Sequence, residues 1–200
     1  MARVPFVGLT GGLGAGKSEA LSALGELGAA TLSTDAVVHE LLQGDELRGV
    51  VAARLGDEVA PDGQLDRSLI AERVFGDEEA RRWLERELWP RVGKRVAEWK
   101  QEVDALHPAP RAAVVEVPLL FESGMDDAFD ATIAVVADED VRSERAAARG
   151  HASVAERSGR QLSQEEKAQR ADYEVRNDGT LEELREKLSR VLARLDAPPR

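Results

Sequence analysis

Residues 4–28 read VPFVGLTGGLGAGKSEALSALGELG, and this stretch decides the fold of the 200-residue chain. A short apolar run leads into a glycine-rich loop, after which Leu21, Leu24 and Leu27 recur at helical spacing. A buried strand, a tight glycine turn and an amphipathic helix in direct succession are typical of the first unit of a parallel sheet. The stretch therefore predicts an α/β fold that begins with this strand, loop and helix.

The loop itself satisfies the pattern G-x-x-x-x-G-K-[ST]. Small residues allow backbone N–H groups to close around phosphate oxygens, and the following helix adds the positive end of its dipole. The pattern predicts that Lys17 contacts the β and γ phosphates of a nucleotide and that Ser18 offers its hydroxyl to Mg²⁺. The predicted nucleotide-binding residues are Gly11, Gly12, Gly14, Ala15, Gly16, Lys17, Ser18 and Glu19.

Further apolar runs along the chain predict the rest of a sheet. They do not alternate cleanly between apolar and polar residues, as is typical of parallel strands that are buried on both faces. Helical patterns lie between them, which favours a three-layer α/β architecture with a parallel five-stranded sheet. The predicted strands lie at residues 4–9, 29–32, 113–117, 132–137 and 173–176.

The region between Asp35 and Ala113 interrupts this alternation, because it contains helical patterns and no convincing strand. It is too long for a single crossover connection. We expect residues of about 57–106 to form a helical insertion that recognises a substrate, with 107–111 leading back to the sheet. Pro90 is expected to kink or break the long helix of this insertion.

Composition excludes several classes of function. The chain carries 27 Lys and Arg against 38 Asp and Glu, a net charge of −11, which argues against a nucleic-acid or membrane-surface binder. The absence of Cys excludes disulfides, thiolate metal sites and cysteine nucleophiles. No apolar run approaches the roughly 18 residues of a membrane-spanning helix, and the motif leaves no room for a secretory signal. We expect a cytoplasmic protein, whose oligomeric state the sequence does not reveal.

Three carboxylates are candidates for handling the proton of an acceptor hydroxyl. Asp35 follows the second predicted strand, which places it at the carboxyl edge of the sheet together with the glycine loop; the alternative is that it only caps a helix beginning at Ala36. Glu116 ends a buried apolar strand, where it needs a partner, either the Mg²⁺ shell or a hydrogen bond to the glycine loop. Glu122 is a third candidate, or an ordinary surface residue.

A basic segment stands out in this acidic chain. Residues 141–170 contain seven Lys or Arg and four Glu, which makes a local net charge of +3. Arg145 and Arg149 share one helical face, with Arg142 adjacent, and guanidinium groups stabilise charge on a transferred phosphoryl group. We expect a mobile lid at about 142–165; the alternative is a solvated helix whose arginines pair with nearby Glu.

Taken together, these motifs resemble those of the dephospho-CoA kinase family, one of the P-loop kinases, over nearly the whole chain. The resemblance rests on the following stretches: GLTGGLGAGKS at 8–18, Asp35, GQLDRSLIAERVF at 63–75, VPLLFESG at 117–124, the pair Arg145 and Arg149, RSGRQ at 157–161, Lys167, and ADYEVRN at 171–177. Ser33 and Trp89 stand where the family commonly has Asp and His.

The resemblance implies a P-loop kinase with a helical substrate domain and an arginine-bearing lid. Its reaction would be the transfer of the ATP γ-phosphate to the ribose 3′-hydroxyl of dephospho-CoA, with Mg²⁺ held by Ser18 and Glu116. Asp35 would accept or orient the hydroxyl proton, while Lys17, Arg145 and Arg149 would contact the phosphates. Asn177 would lie near the adenine end of ATP.

Two other classes of function remain open from the residues alone. One is another small-molecule or nucleoside-monophosphate kinase of the same architecture, since the glycine loop is common to all of them. The other is a nucleotide-dependent switch, although the N-K-x-D guanine motif of GTPase switches does not occur. A catalytically degraded homologue is a further possibility that the sequence leaves open.

Overall fold

A computed structural model describes residues 3–148 and 161–195 of the chain, with only the backbone described at 146–148. Arg149 and half of the lid expected at about 142–165 therefore lie outside the described residues. The described residues fall into two compact units, one within Met1–Ser33 and Lys100–Arg200 and the other within Thr34–Trp99. No helix among the described residues is long and apolar enough to cross a membrane.

The first unit is built on a sheet of five strands that are all parallel, as predicted. The strand order is β2-β3-β1-β4-β5, so the strand that leads into the glycine loop lies at the centre. The strands are β1 (Phe6–Gly11), β2 (Ala30–Ser33), β3 (Ala113–Glu116), β4 (Ala131–Val136) and β5 (Tyr173–Arg176).

Both faces of the sheet are covered, which explains why β1, β3 and β4 are buried along their whole length. On one face, Val7 and Leu9 belong to a core shared with helices α1 (Lys17–Glu26) and α8 (Leu181–Leu195). On the other face, the side chains of Leu120 and Phe129 pack closely over Gly8. A Cβ at Gly8 would lie only 3.0 Å from the Leu120 side chain and 3.1 Å from that of Phe129. The predicted three-layer architecture is therefore confirmed.

The second unit is helical and has a core of its own. It contains α2 (Thr34–Gln43), α3 (Asp45–Leu55), α4 (Arg67–Val74) and most of α5 (Glu78–Asp104). This unit begins at Thr34, whereas the sequence suggested an insertion at about 57–106. Buried apolar residues from all four helices make up its core: Leu42, Leu47, Val51, Leu55, Ile70, Ala80, Leu84 and Leu88, with Val59 between α3 and α4.

Local sequence signals account for two features of these helices. Asp66 caps α4, because its carboxylate accepts hydrogen bonds from the backbone N–H groups of Ser68 and Leu69 at 2.7 and 3.1 Å. Helix α5 runs through Pro90 without a break over its 27 residues. Proline has no backbone N–H, so one helical hydrogen bond is missing, and a helix of this length tolerates that loss. Of the kink or break expected at Pro90, the break is therefore wrong, and the kink stays a prediction.

A buried lysine ties helix α7 (Gln164–Arg170) to the chain that follows β3. Lys167 is fully buried, and its Nζ donates to the carbonyl oxygen of Pro118 at 2.6 Å. It also forms an ion pair with Glu122 Oε1 at 3.0 Å, where the Glu122 side chain is only 12% exposed. The hydroxyl of Thr10, one residue before the end of β1, donates to the same Pro118 oxygen at 3.3 Å. The alternative that Glu122 is an ordinary surface residue is therefore wrong.

We predict that Lys167→Met lowers the free energy of unfolding by about 3 kcal/mol, because it leaves a buried carboxylate without its cation. Urea denaturation followed by circular dichroism measures this change. The matched control is Lys94→Met, whose side chain is 78% exposed and which should change stability by less than about 0.5 kcal/mol. Equal stability of the two variants would contradict the prediction.

Candidate functional site: the glycine loop and its surroundings

The glycine loop joins the end of β1 at Gly11 to the start of α1 at Lys17. Two of its glycines are required by the backbone path. Gly14 has φ of +76°, and a Cβ there would lie 2.5 Å from the carbonyl oxygen of Arg142. Gly16 has φ of +91°, and a Cβ there would collide with the side-chain amide of Asn177. A side chain at either position would force the loop open.

Lys17 folds back over the loop from the first turn of α1. Its Nζ donates to the carbonyl oxygens of Gly11 and Gly12 at 3.2 and 3.1 Å. The ammonium group therefore lies where the loop curves, beside the backbone groups that the motif predicts for phosphate binding. Ser18, the next residue, is exposed at the same helix end, and one carboxylate oxygen of Glu19 lies 2.9 Å from the Cβ position of Gly16.

Asn177 lies against the loop and not on the open surface. It follows β5 directly and is only 4% exposed. Its side-chain Nδ2 donates to the carbonyl oxygen of Ala15 at 3.0 Å, and its backbone N–H donates to Val136 O at 2.8 Å. The structure thus brings Asn177 to the nucleotide loop, whereas its proposed closeness to adenine stays a prediction.

Helix α6 (Glu139–Ala148) carries two arginines to the same place. Arg142 Nε donates to the carbonyl oxygen of Leu13 at 3.0 Å, so this side chain contacts the loop directly. Arg145 Nη1 donates to the backbone carbonyl oxygen of Asn177 at 3.0 Å. Among the described residues, Arg145 is therefore linked to the loop through Asn177 and not by a hydrogen bond of its own to the loop. Of the predicted pair, Arg145 therefore lies near the loop, and Arg149 lies outside the described residues.

A cavity of about 430 Å³ opens beside the loop. Its lining includes Gly12 and Leu13 of the loop, Arg142, and residues 161–166. Among these is Glu165, where hydrogen bonds from its own backbone N–H and from the side chain of Gln164 hold the pKa of its carboxyl below the ordinary value. The cavity adjoins the predicted phosphate site and is large enough for part of a nucleotide.

Glu116 ends β3 at the carboxyl edge of the sheet, in register with Leu9 of β1 and Ser33 of β2. It is only 6% exposed. Because the strands are parallel, this edge is also the one from which the glycine loop leaves β1. The structure thus places a buried carboxylate at the predicted edge.

Asp35 comes two residues after the end of β2, in the first turn of α2, and is exposed. Helix α2 begins at Thr34 and not at Ala36, so Asp35 lies within its first turn and does not precede the helix. Its carboxylate is therefore an exposed group close in the chain to the end of β2, a position that suits contact with a bound substrate.

Two contacts at the site could not be read from the motifs. Sequence reasoning placed Arg142 only beside the arginine pair, and it missed Gln164. The Gln164 side-chain amide donates to the carbonyl oxygen of Ala137 at 2.8 Å and accepts from the Ala137 backbone N–H at 3.1 Å. The signal available for Arg142 was its spacing from Arg145, three positions along one helix. That spacing indicates neighbouring side chains, but it does not say what they contact.

The glycine loop joins the central strand of a parallel sheet to the first helix of the chain, and a lysine follows it. This arrangement defines the chain as an α/β protein of the P-loop kinase class. A family model described as "Dephospho-CoA kinase" matches residues 5–183. The chain therefore belongs to the dephospho-CoA kinase family.

Individual relatives agree with this assignment. A protein of Protochlamydia amoebophila named dephospho-CoA kinase is 40% identical, with 98% of both chains covered. One of Anaeromyxobacter dehalogenans with the same name is 38% identical, covering 94% of this chain and 91% of the relative. The crystal structure of TT1252 from Thermus thermophilus is 32% identical, with a TM-score of 0.79 and coverage of 97% and 99%.

Proposed function

We propose that this protein is an ATP-dependent kinase that transfers the γ-phosphate of ATP to the ribose 3′-hydroxyl of dephospho-CoA, forming CoA and ADP. The observation that carries the proposal is the family match over residues 5–183. This range includes the glycine loop and the residues described around it. ATP and dephospho-CoA are then the partners of the protein. The cytoplasmic location expected from the sequence remains a prediction.

Phosphoryl transfer needs positioning and charge neutralisation more than covalent participation by the protein. In our proposal the loop N–H groups and Lys17 hold the β and γ phosphates, supported by the position of Nζ within 3.2 Å of two loop carbonyls. Arg145 would stabilise the charge that develops on the transferred group, and Arg149 would join it. The closeness of Arg145 to Asn177 supports its role.

Asp35 is the residue that we propose to orient the acceptor hydroxyl or accept its proton. Its exposure and its position two residues past β2 support this role. A carboxylate in this role contributes through general-base catalysis once the hydroxyl lies within hydrogen-bonding distance. We further propose that the helical unit Thr34–Trp99, which carries Asp35, receives the dephospho-CoA.

Mg²⁺ is the metal that this chemistry requires, and the donors near the loop fit it. Ser18 offers a hydroxyl and Glu116 a carboxylate, both of them the hard oxygen ligands that Mg²⁺ prefers. Glu116 is buried at the carboxyl edge of the sheet, on the strand next to the one that leads into the glycine loop. We propose that Ser18 and Glu116 hold the ion, which when bound neutralises charge on the phosphates.

The proposed reaction is tested by measuring ADP release from Mg²⁺-ATP with a panel of acceptors. The panel contains dephospho-CoA, AMP, CMP, shikimate and pantothenate. We expect turnover with dephospho-CoA only. Turnover with another acceptor would overturn the substrate assignment and leave the kinase class standing. Tight ATP binding without acceptor-dependent turnover would instead favour a switch protein or a degraded homologue.

A further inference from the structure

Two carbonyl groups of the glycine loop are held by side chains from outside the loop. The carbonyl oxygen of Leu13 accepts from Arg142 Nε, and that of Ala15 accepts from Asn177 Nδ2, both at 3.0 Å. Leu13 and Ala15 lie two positions apart, on either side of Gly14, and each directly precedes a glycine of positive φ. The loop thus has alternate carbonyls fixed by partners that come from α6 and from the end of β5.

The direction of these carbonyls decides the direction of the N–H groups that follow them. In a planar trans peptide the C=O and the N–H point to opposite sides. The peptide between Leu13 and Gly14 is trans, since the one cis bond among the described residues is His107–Pro108. When Arg142 holds the Leu13 oxygen, the N–H of Gly14 must therefore face away from Arg142. Asn177 sets the N–H of Gly16 in the same way.

The Arg142 side chain is itself held in place. Its Nη1 forms an ion pair with Glu139 Oε2 at 2.7 Å, one helical turn earlier on α6, and the side chain is only 16% exposed. The guanidinium carbon lies 3.3 Å from the Cβ position of Gly12, so the group packs flat against the loop. A guanidinium restrained on two sides loses little further freedom when it bonds the loop.

We propose that Arg142 is a positioning residue for the nucleotide. By holding the carbonyl oxygen of Leu13, it presets the N–H of Gly14 as a donor to a phosphate oxygen of ATP. The proposal rests on the proposed function only in that the loop binds ATP. Because the effect runs through one directed hydrogen bond, it depends on a donor at the Nε position and not on the positive charge.

A pair of variants separates the donor from the charge. In Arg142→Gln the side-chain Nε2 stands the same number of bonds from the backbone as arginine Nε, so the donor is kept and the charge is lost. Arg142→Met has the same length and no donor. We expect Arg142→Met to weaken ATP affinity and raise KM for ATP by about five- to tenfold, the usual range for one hydrogen bond. Arg142→Gln should stay within about twofold of the unsubstituted protein.

The readouts are the dissociation constant for ATP from titration calorimetry, and kcat and KM for each substrate. We expect kcat and KM for the acceptor to change by less than about threefold in both variants, since Arg142 acts on the loop and not on the reacting group. The control is Arg190→Met on α8, whose side chain is 72% exposed and which should bind ATP normally.

Equal losses in Arg142→Gln and Arg142→Met would overturn the proposal and assign the effect to charge. Unchanged ATP binding in both variants would also overturn it. The binding titration needs no acceptor, so it still decides the role of Arg142 if the acceptor assignment fails. Loss of ATP binding by the unsubstituted protein would instead refute the proposed function.

Discussion

The Asp35→Asn variant is expected to lose about 10²- to 10⁴-fold in kcat with dephospho-CoA, because the amide cannot accept the proton of the acceptor hydroxyl. The substitution keeps the size of the side chain and removes only its charge and basicity. Since Asp35 is exposed in the first turn of α2, the helical unit should fold normally. Steady-state measurements of ADP release, with both substrates saturating, check the prediction.

Asp45→Asn is the matched control for this experiment. Asp45 also lies in the first turn of a helix of the same unit, and its side chain is 85% exposed. We expect its kcat to remain within about twofold of the unsubstituted protein. We also expect Asp35→Asn to bind ATP normally, because the proposed role of Asp35 concerns the acceptor. A kcat for Asp35→Asn within threefold of the unsubstituted protein would refute that role.

Lys17→Met should reduce kcat by about 10²- to 10³-fold, the cost of removing one charged donor from a site where negative charge develops. The methionine has nearly the length of the lysine stem but cannot contact a phosphate through an ammonium group. It also removes the two hydrogen bonds from Nζ to the Gly11 and Gly12 carbonyls. Both ATP affinity and turnover should therefore fall.

Lys94→Met again serves as the matched lysine control and should leave kcat unchanged. Circular dichroism and the urea midpoint should show that Lys17→Met remains folded, since Lys17 is only partly buried. Normal ATP affinity together with normal kcat in a folded Lys17→Met protein would show that the loop does not hold the phosphates in the way we propose.

The positions of the strands could be predicted because burial on both faces leaves a short apolar run in the sequence. Each predicted strand lies within about two residues of its observed bounds. The order of the strands could not be predicted, because the partners of β1 are far away in the chain. Phe6 pairs with Ala113, and Val7 pairs with Ala131. Such pairings are decided by tertiary packing and leave no local signal.

The nucleotide loop could be predicted because its chemistry requires a fixed spacing of glycines and a lysine. The residues that surround it left a weaker signal. Lys167 lies in the polar helix QEEKAQR and resembles a surface residue, yet Pro118 and Glu122 bury it from another part of the chain. The contact of Arg142 with the carbonyl oxygen of Leu13 likewise joins residues 129 positions apart. Neither partner can be identified from its own neighbourhood.

The insertion of the helical unit between β2 and β3 has a consequence for synthesis on the ribosome. β1 pairs only with β3 and β4, and β2 pairs only with β3 among the described strands. When about 100 residues have emerged, Thr34–Trp99 can already close its own core through local contacts. The two strands made first still have open edges at that stage, which are prone to association with other chains. The nascent protein is therefore most exposed to misassembly until β3 leaves the exit tunnel.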